Sequence, residues 1–292
     1  MTFAAARAAV EAIEAAEQAD DRLDPVCRTR FMSHGDRTRR AIVLLHGFTN
    51  CPKQFVTLGQ QLFERGYTVY IPRLPGHGLR DKLTNALRGL SVVDFTRTAH
   101  EAAELATGLG ERVHVAGISL GGMLAAWLGE RMVLTSATAI SPFFAIANLP
   151  MWANTLLAFT LFALPNFYMW WDPVMGPRNT LVPPQAYARY PSRLIAEQLR
   201  LSARVQQRAR REPPLARVSC LFINAYDISV NNAVSDRLYK RWVRRGATVL
   251  RVRLNLGPLR HDIIDDFSPK LPVDLIYPRI IELLERADAL AS

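Results

Sequence analysis

In the stretch Arg112-Val113-His114-Val115-Ala116-Gly117-Ile118-Ser119-Leu120-Gly121-Gly122, a serine stands between glycines where one sequence period gives way to another. Residues 112–116 alternate and carry β-branched Val113 and Val115, which predicts a short buried strand. Leu120, Met123, Leu124, Trp127 and Leu128 then recur at helical spacing. A serine on a glycine-flanked strand-to-helix turn has the form of a nucleophile elbow: the glycines let the chain turn sharply, and the hydroxyl projects from the end of a sheet.

The same alternation runs through most of the chain. Strands are predicted at Ala41–Leu45, Tyr67–Ile71, Arg112–Ala116, Val133–Ile140, Val218–Asn224 and Thr248–Val252, and helices at 52–65, 91–108, 120–130, 231–245 and near the C-terminus up to Leu290. Strands alternating with helices imply a mostly parallel sheet covered on both faces. The 292 residues, 49% of them hydrophobic, suffice for one large domain with an inserted cap. Residues 41–141 and 215–292 read as the core, and 1–40 as an N-terminal helix (2–20, with a thin stripe of Phe3, Val10 and Ile13) followed by an early hairpin around Ser33-His34-Gly35-Asp36.

Residues 142–214 break the alternation and have helical patterns of their own, so they read as a cap, or lid. Between Met132 and Trp171 there is no Asp, Glu, Lys, Arg or His, yet Pro150, Asn154, Pro165 and Asn166 cut the apolar run into short pieces. A lid is therefore expected rather than a transmembrane span, with contact at a lipid–water interface as the middle case.

The net charge of +10 is carried mostly by arginine, with lysine only at 53, 82, 240 and 270. Arg193, Arg200, Arg204, Arg208 and Arg211 recur at helical spacing without interleaved aromatics, so they read as a solvated helix face and not as a nucleic-acid stripe. Three cysteines, Cys27, Cys51 and Cys220, have no metal-ligand spacing; their odd, sparse set makes a disulfide framework improbable and favours a reducing compartment. Arg7, Glu11, Glu14 and Glu17 interrupt the alanine-rich N-terminal stretch, unlike a secretory signal, and a cytoplasmic location is expected.

Serine attacks only when a base takes its proton, and histidine suits that task near neutral pH. The base needs a carboxylate to fix its tautomer. Asp227 follows the strand ending at Asn224, and His261 follows the next one; of six histidines only His261 lies beyond Asp227. The predicted nucleophile, acid and base are thus Ser119, Asp227 and His261. Asp236 is a weaker acid candidate, and Asp262, Asp265 and Asp266 lie too near His261 in sequence to be preferred. The backbone N–H groups of Leu120 and Phe48 are the expected oxyanion donors, one after the serine and one on the His46-Gly47-Phe48-Thr49 loop. His46 and His77 read as loop supports.

His46-Gly47-Phe48-Thr49, Pro75-Gly76-His77-Gly78, Gly117-Ile118-Ser119-Leu120-Gly121-Gly122, Asp227-Ile228-Ser229-Val230 and His261-Asp262 resemble the α/β-hydrolase family, in its carboxylesterase and monoacylglycerol-lipase branch. The resemblance covers roughly residues 40–290. It implies a central, mostly parallel sheet, a cap after the sixth strand, no cofactor, and the same triad; no metal site is expected either, since no metal-ligand spacing is present. Asn50-Cys51 departs from the pattern, which often has a glycine after the threonine. The expected activity is cleavage of a small-molecule carboxylic ester with an apolar acyl or alcohol part, through an acyl-enzyme. Phe48 and the lid aromatics Trp152, Phe159 and Phe162 are the candidate substrate contacts; Phe143, Phe144, Trp170 and Trp171 belong to the same apolar set. The competing readings are a thioesterase, amidase or carbon–carbon hydrolase on the same triad, a non-catalytic small-ligand binding protein, and a membrane-associated interaction protein using residues 143–171.

Overall fold

The computed structural model describes residues 1–176, 182–255, 261–266 and 272–292. In chain order the strands are β1 (Arg30–Met32), β2 (Thr38–Leu45), β3 (Tyr67–Ile71), β4 (Gly110–Ile118), β5 (Ser136–Ile140), β6 (Tyr168–Trp170), β7 (Arg189–Pro191), β8 (Val218–Asn224) and β9 (Thr248–Leu254). The helices are α1 (Phe3–Gln18), α2 (Val56–Phe63), α3 (Val92–Leu109), α4 (Leu120–Gly129), α5 (Met151–Ala163), α6 (Ser192–Arg208), α7 (Asn232–Arg244) and α8 (Val273–Leu290).

Seven of the strands form one sheet in the order β1-β3-β2-β4-β5-β8-β9. Only β1 runs antiparallel to its neighbour; the other pairs are parallel. Every residue of β3, β5 and β8 is buried, as expected for parallel strands covered on both faces. One face packs against α1, α3, α4 and α7 through residues such as Val10, Phe95, Met123 and Trp242. The other packs against α2 and α8 through Leu58, Leu62, Ile280 and Leu284. From β2 the chain moves to β3 on one side, and later returns to β4 on the other. The carboxyl ends of β2 and β4 therefore flank a topological switch point, where open α/β sheets leave a crevice.

Three expectations need correcting. Residues 33–36 do form a turn, with Gly35 at φ 92° and its N–H on Ser33 Oγ at 3.2 Å, but no hairpin results. Strand β3 lies between β1 and β2 and takes the hydrogen bonds of both, with Arg30 opposite Ile71 and Arg40 opposite Tyr67. On α1 the buried positions are Ala6, Val10 and Glu17, whereas Ile13 is exposed. The third concerns cysteine. Cys27 and Cys51, 24 residues apart in sequence, are joined by a disulfide with Cα atoms 5.2 Å apart, while Cys220 is free and buried. An odd count conceals a pair plus a remainder, and the inference to a reducing compartment falls with it.

Between β5 and β8 the chain builds α5, an antiparallel ribbon of β6 and β7, and α6. This insertion follows the fifth strand in chain order, one earlier than the resemblance implies, because β1 alone precedes β2. Asn154 lies inside α5 and is buried. Its Oδ1 accepts the Ile146 N–H at 2.9 Å, and its Nδ2 donates to the Leu149 and Pro150 carbonyls, so it satisfies the turn that leads into the helix. Ser202 Oγ of α6 donates to the Phe144 carbonyl and fastens the two limbs together. With 13 residues, α5 is too short to span a bilayer. Among the described residues no helix is long and apolar enough to cross a membrane.

Candidate active site

Ser119 lies between β4 and α4 with φ 55° and ψ −114°, a backbone conformation costly for a residue with a side chain. Neighbouring main chain holds it there. Its N–H donates to the Ile140 carbonyl at 3.0 Å, and its own carbonyl accepts from Met123 and Phe143. The glycines of the motif are forced by close approach. A Cβ on Gly121 would stand 1.9 Å from the Leu45 carbonyl oxygen, and one on Gly117 would stand 2.3 Å from the Gly121 oxygen.

Asp227 follows the carboxyl end of β8, two strands across the sheet from β4. At an inter-strand spacing of about 4.8 Å, the ends of those two strands are separated by roughly 10 Å, a gap that a second side chain must bridge. Asp227 is held by the backbone of its own loop: Oδ1 accepts from Ser229 at 2.8 Å and Val230 at 3.3 Å. Oδ2 faces His261 Nδ1 at 2.7 Å, and the carboxylate is fully buried. The carboxylate can only accept, so Nδ1 carries the proton and Nε2 keeps a free lone pair. Burial disfavours the imidazolium of His261, but the charge and hydrogen bond of Asp227, with the charge of Asp262, outweigh it and hold the pKa above the ordinary histidine value. Asp236 is engaged elsewhere, in an ion pair with Arg251 at 3.4 Å.

The loop after β2 is fixed from several sides. Gly47 N–H donates to Gln54 Oε1 at 2.8 Å, Thr49 N–H to His77 Nε2 at 3.1 Å, and Asn50 N–H to the Gly47 carbonyl. Thr49 takes φ 66°, and its carbonyl accepts from Tyr187 N–H. Among the described residues, neither the Phe48 nor the Leu120 N–H has a protein partner outside this frame. Two buried histidines stiffen the loop. His46 Nε2 accepts from Leu74 N–H while its Nδ1 lies 2.9 Å from the Gly47 carbonyl, and His77 Nδ1 lies 2.9 Å from the Pro75 carbonyl. Each ring thus accepts a main-chain N–H at Nε2 and must be neutral. Burial pushes His46 well below its ordinary pKa and His77 down to about 4.

The candidate substrate contacts separate into two groups. Phe48 is buried against Tyr190 and Trp171 of the insertion, with ring centroids 5.6 and 6.3 Å away, and Trp171 Nε1 donates to Thr49 Oγ1 at 2.9 Å. Tyr190 was not among the residues singled out in the sequence; a lone tyrosine in an arginine-rich stretch carries no signal of its own. Trp152 and Phe159 instead stand on the solvent face of α5, 71% and 69% exposed, with Leu156 between them. Phe162 is half-buried, with the Arg200 guanidinium 4.8 Å over its ring.

The alpha/beta hydrolase family matches residues 42–267. A carboxylesterase of Bacillus subtilis (strain 168) is 34% identical over 91 residues, which is 31% of this chain and 36% of that protein. A thermostable monoacylglycerol lipase of Bacillus sp. (strain H-257) is 30% identical over 89 residues, 30% of this chain and 34% of that protein. The chain thus spans about a third of the length of the curated relatives it matches. Among solved structures, one described with the metagenome-derived lipolytic enzymes LipS and LipT superposes with a TM-score of 0.68 at 20% identity, over 90% of this chain and 99% of that one. The monoacylglycerol lipase of Paleococcus ferrophilus gives 0.64 at 20% identity, over 89% and 97%. At that identity the likeness is one of fold.

Proposed function

Because the chain belongs to the alpha/beta hydrolase family, we propose that it is a serine hydrolase of carboxylic esters. Ser119 attacks the acyl carbon while His261 Nε2 takes its proton; Asp227 holds the imidazole and steadies the cation formed. Negative charge develops on the carbonyl oxygen, and the Phe48 and Leu120 N–H groups receive it. The proton on His261 then passes to the leaving alcohol. Water then attacks the acyl carbon as the same nitrogen takes its proton; that proton passes to Ser119 Oγ as the acyl–Oγ bond breaks, which releases the acid and restores the neutral histidine. The observation that carries this reading is the 2.7 Å Asp227–His261 pair at the strand ends that also present the Ser119 elbow. The aromatic contact of Phe48 with Trp171 and Tyr190 supports an apolar acyl pocket roofed by the insertion.

A fluorophosphonate tests the reading directly, because only an activated serine attacks phosphorus quickly. Peptide mass spectrometry is expected to find the label on Ser119 alone, and p-nitrophenyl butyrate to be hydrolysed; a label elsewhere, or none, refutes the assignment. The pH profile adds a second check. His261 acts as a base only when neutral, and its pKa is raised above the ordinary 6.5. Activity is therefore expected to be full at higher pH and to fall, as pH drops, through a midpoint above 6.5. A midpoint below that value means the Asp227 and Asp262 charges do not act on the base.

The outward stripe of Trp152, Leu156 and Phe159 supports a second contact, with apolar substrate gathered at a lipid–water interface. Replacing Trp152 and Phe159 together with alanine is expected to lower hydrolysis of emulsified tributyrin by about a hundredfold, given two large side chains each contributing ~1.5 kcal/mol when buried, and to leave p-nitrophenyl acetate unaffected. Equal loss on both substrates contradicts the interfacial role.

A further inference from the structure

Beside the Asp227–His261 pair lies a polar cluster whose amides take no part in the proposed chemical steps. Three amides, Asn50, Gln54 and Gln185, are each buried, and they converge on two carboxylates from the segment that carries His261. Gln54 Nε2 donates to Asp262 Oδ2 at 2.6 Å, while its Oε1 accepts the Gly47 N–H. Asn50 Nδ2 donates to Asp265 Oδ2 at 3.0 Å and to Asp262 Oδ2 at 3.4 Å, while its Oδ1 accepts the Cys51 N–H. Gln185 Nε2 donates to the same Asp265 oxygen at 2.8 Å. Asp262 Oδ1 accepts from the backbone N–H groups of Ile264 and Asp265, which locks the carboxylates to the turn after His261.

Each amide comes from a different part of the candidate site. Asn50 closes the loop bearing Phe48, Gln54 follows the Cys51 bridge, and Gln185 belongs to the insertion, two residues before the Tyr187 N–H that holds the Thr49 carbonyl. Resting on the hydrolase reading above, we propose that Asn50, Gln54 and Gln185 form a strut to Asp262 and Asp265 that keeps the base loop and the oxyanion loop in one fixed relation. They are positioning residues: none touches the reacting atoms, and each acts through a loop that does.

Amides are the donors this task requires. An arginine or lysine there would neutralise the carboxylates, whereas a neutral donor satisfies their lone pairs and leaves the charge of Asp262 to act on the imidazole. Proton transfer and oxyanion stabilisation must occur together around one acyl carbon, and a displacement of about 1 Å between base and donors can cost 10²-fold in rate. Substrate binding places no such demand on the relation of the two loops.

The test uses Asn50→Ala, Gln54→Met and Gln185→Ala, with kcat and KM for p-nitrophenyl acetate, completeness and rate of fluorophosphonate labelling, and circular dichroism at the assay temperature. Each variant is expected to lose about ten- to a hundredfold in kcat with KM changed less than about threefold, the signature of an interaction realised in the transition state. Labelling still reaches completion on Ser119, but more slowly. Since Asn50 and Gln185 share one carboxylate oxygen, their double variant is expected to fall well short of the product of the two single effects. Should Gln54→Met fail to fold, Asn50→Ala and Gln185→Ala decide. Wild-type kcat in both, with Ser119 labelled, overturns the strut and spares the hydrolase reading. A folded wild-type protein that is not labelled at Ser119 overturns both.

Discussion

Ser119→Ala and His261→Ala are each expected to lower ester turnover by about four to six orders of magnitude, and the double variant to be little worse than either alone. The non-additivity is the informative part. If the serine and the histidine act in one step, removing the first leaves the second with nothing to do. Asp227→Asn is expected to lose about 10⁴-fold, since an amide can donate to Nδ1 and so stabilise the tautomer that has no lone pair at Nε2. Initial rates on p-nitrophenyl butyrate check all four variants. Single losses below about tenfold, or independent losses that multiply, mean that this constellation is not the machinery.

The second large effect is on folding. Gly121→Ala places a methyl group where the Leu45 and His46 carbonyl oxygens already stand, at 1.9 and 2.7 Å. Both obstacles are main chain in the centre of the sheet, so no rotamer change relieves the clash. A loss of more than about 4 kcal/mol is expected, placing the variant among the most damaging single substitutions. That corresponds to a fall in Tm of at least about 6 °C for a chain of this size. A variant whose thermal midpoint stays within two or three degrees of wild type would show that β2 and α4 do not meet as closely as described. By contrast, nothing lies within 4 Å of a Cβ placed on Gly89, so Gly89→Ala serves as the matched control.

Legibility in the sequence followed burial. Strands β3 and β8 are recognisable to the residue because a parallel strand covered on both faces is a continuous apolar run bounded by polar turns. Strand β1 has three half-buried residues and no period to read, and its partner is chosen by the tertiary fold. The elbow glycines announced themselves because their spacing is a steric necessity. The Cys27–Cys51 pairing did not, since proximity in space leaves no mark on spacing along the chain. The amides of the strut were hidden for another reason: a buried asparagine or glutamine is spelled like a solvated one. In α5 the difficulty was direction, because leucine and phenylalanine occur around the whole helix, and composition could not distinguish the packed face of Ala158 and Leu161 from the outward face of Trp152 and Phe159.

The strand order also has a consequence for how the molecule is made. A chain leaves the ribosome from its N-terminus at about 5–20 residues per second, and domains assemble as they emerge. Strands β1 to β5 can pair among themselves at once, since each finds its neighbour in sequence already synthesised. They carry Ser119 but neither Asp227 nor His261. The free edge of β5, with Ser136–Ile140 wholly buried in the finished protein, must then wait for the entire insertion to be translated before β8 can cover it. For several seconds the nascent half-sheet presents an unpaired strand edge to its surroundings. This is the interval in which a chaperone is most useful to this chain, and in which it is most exposed to aggregation.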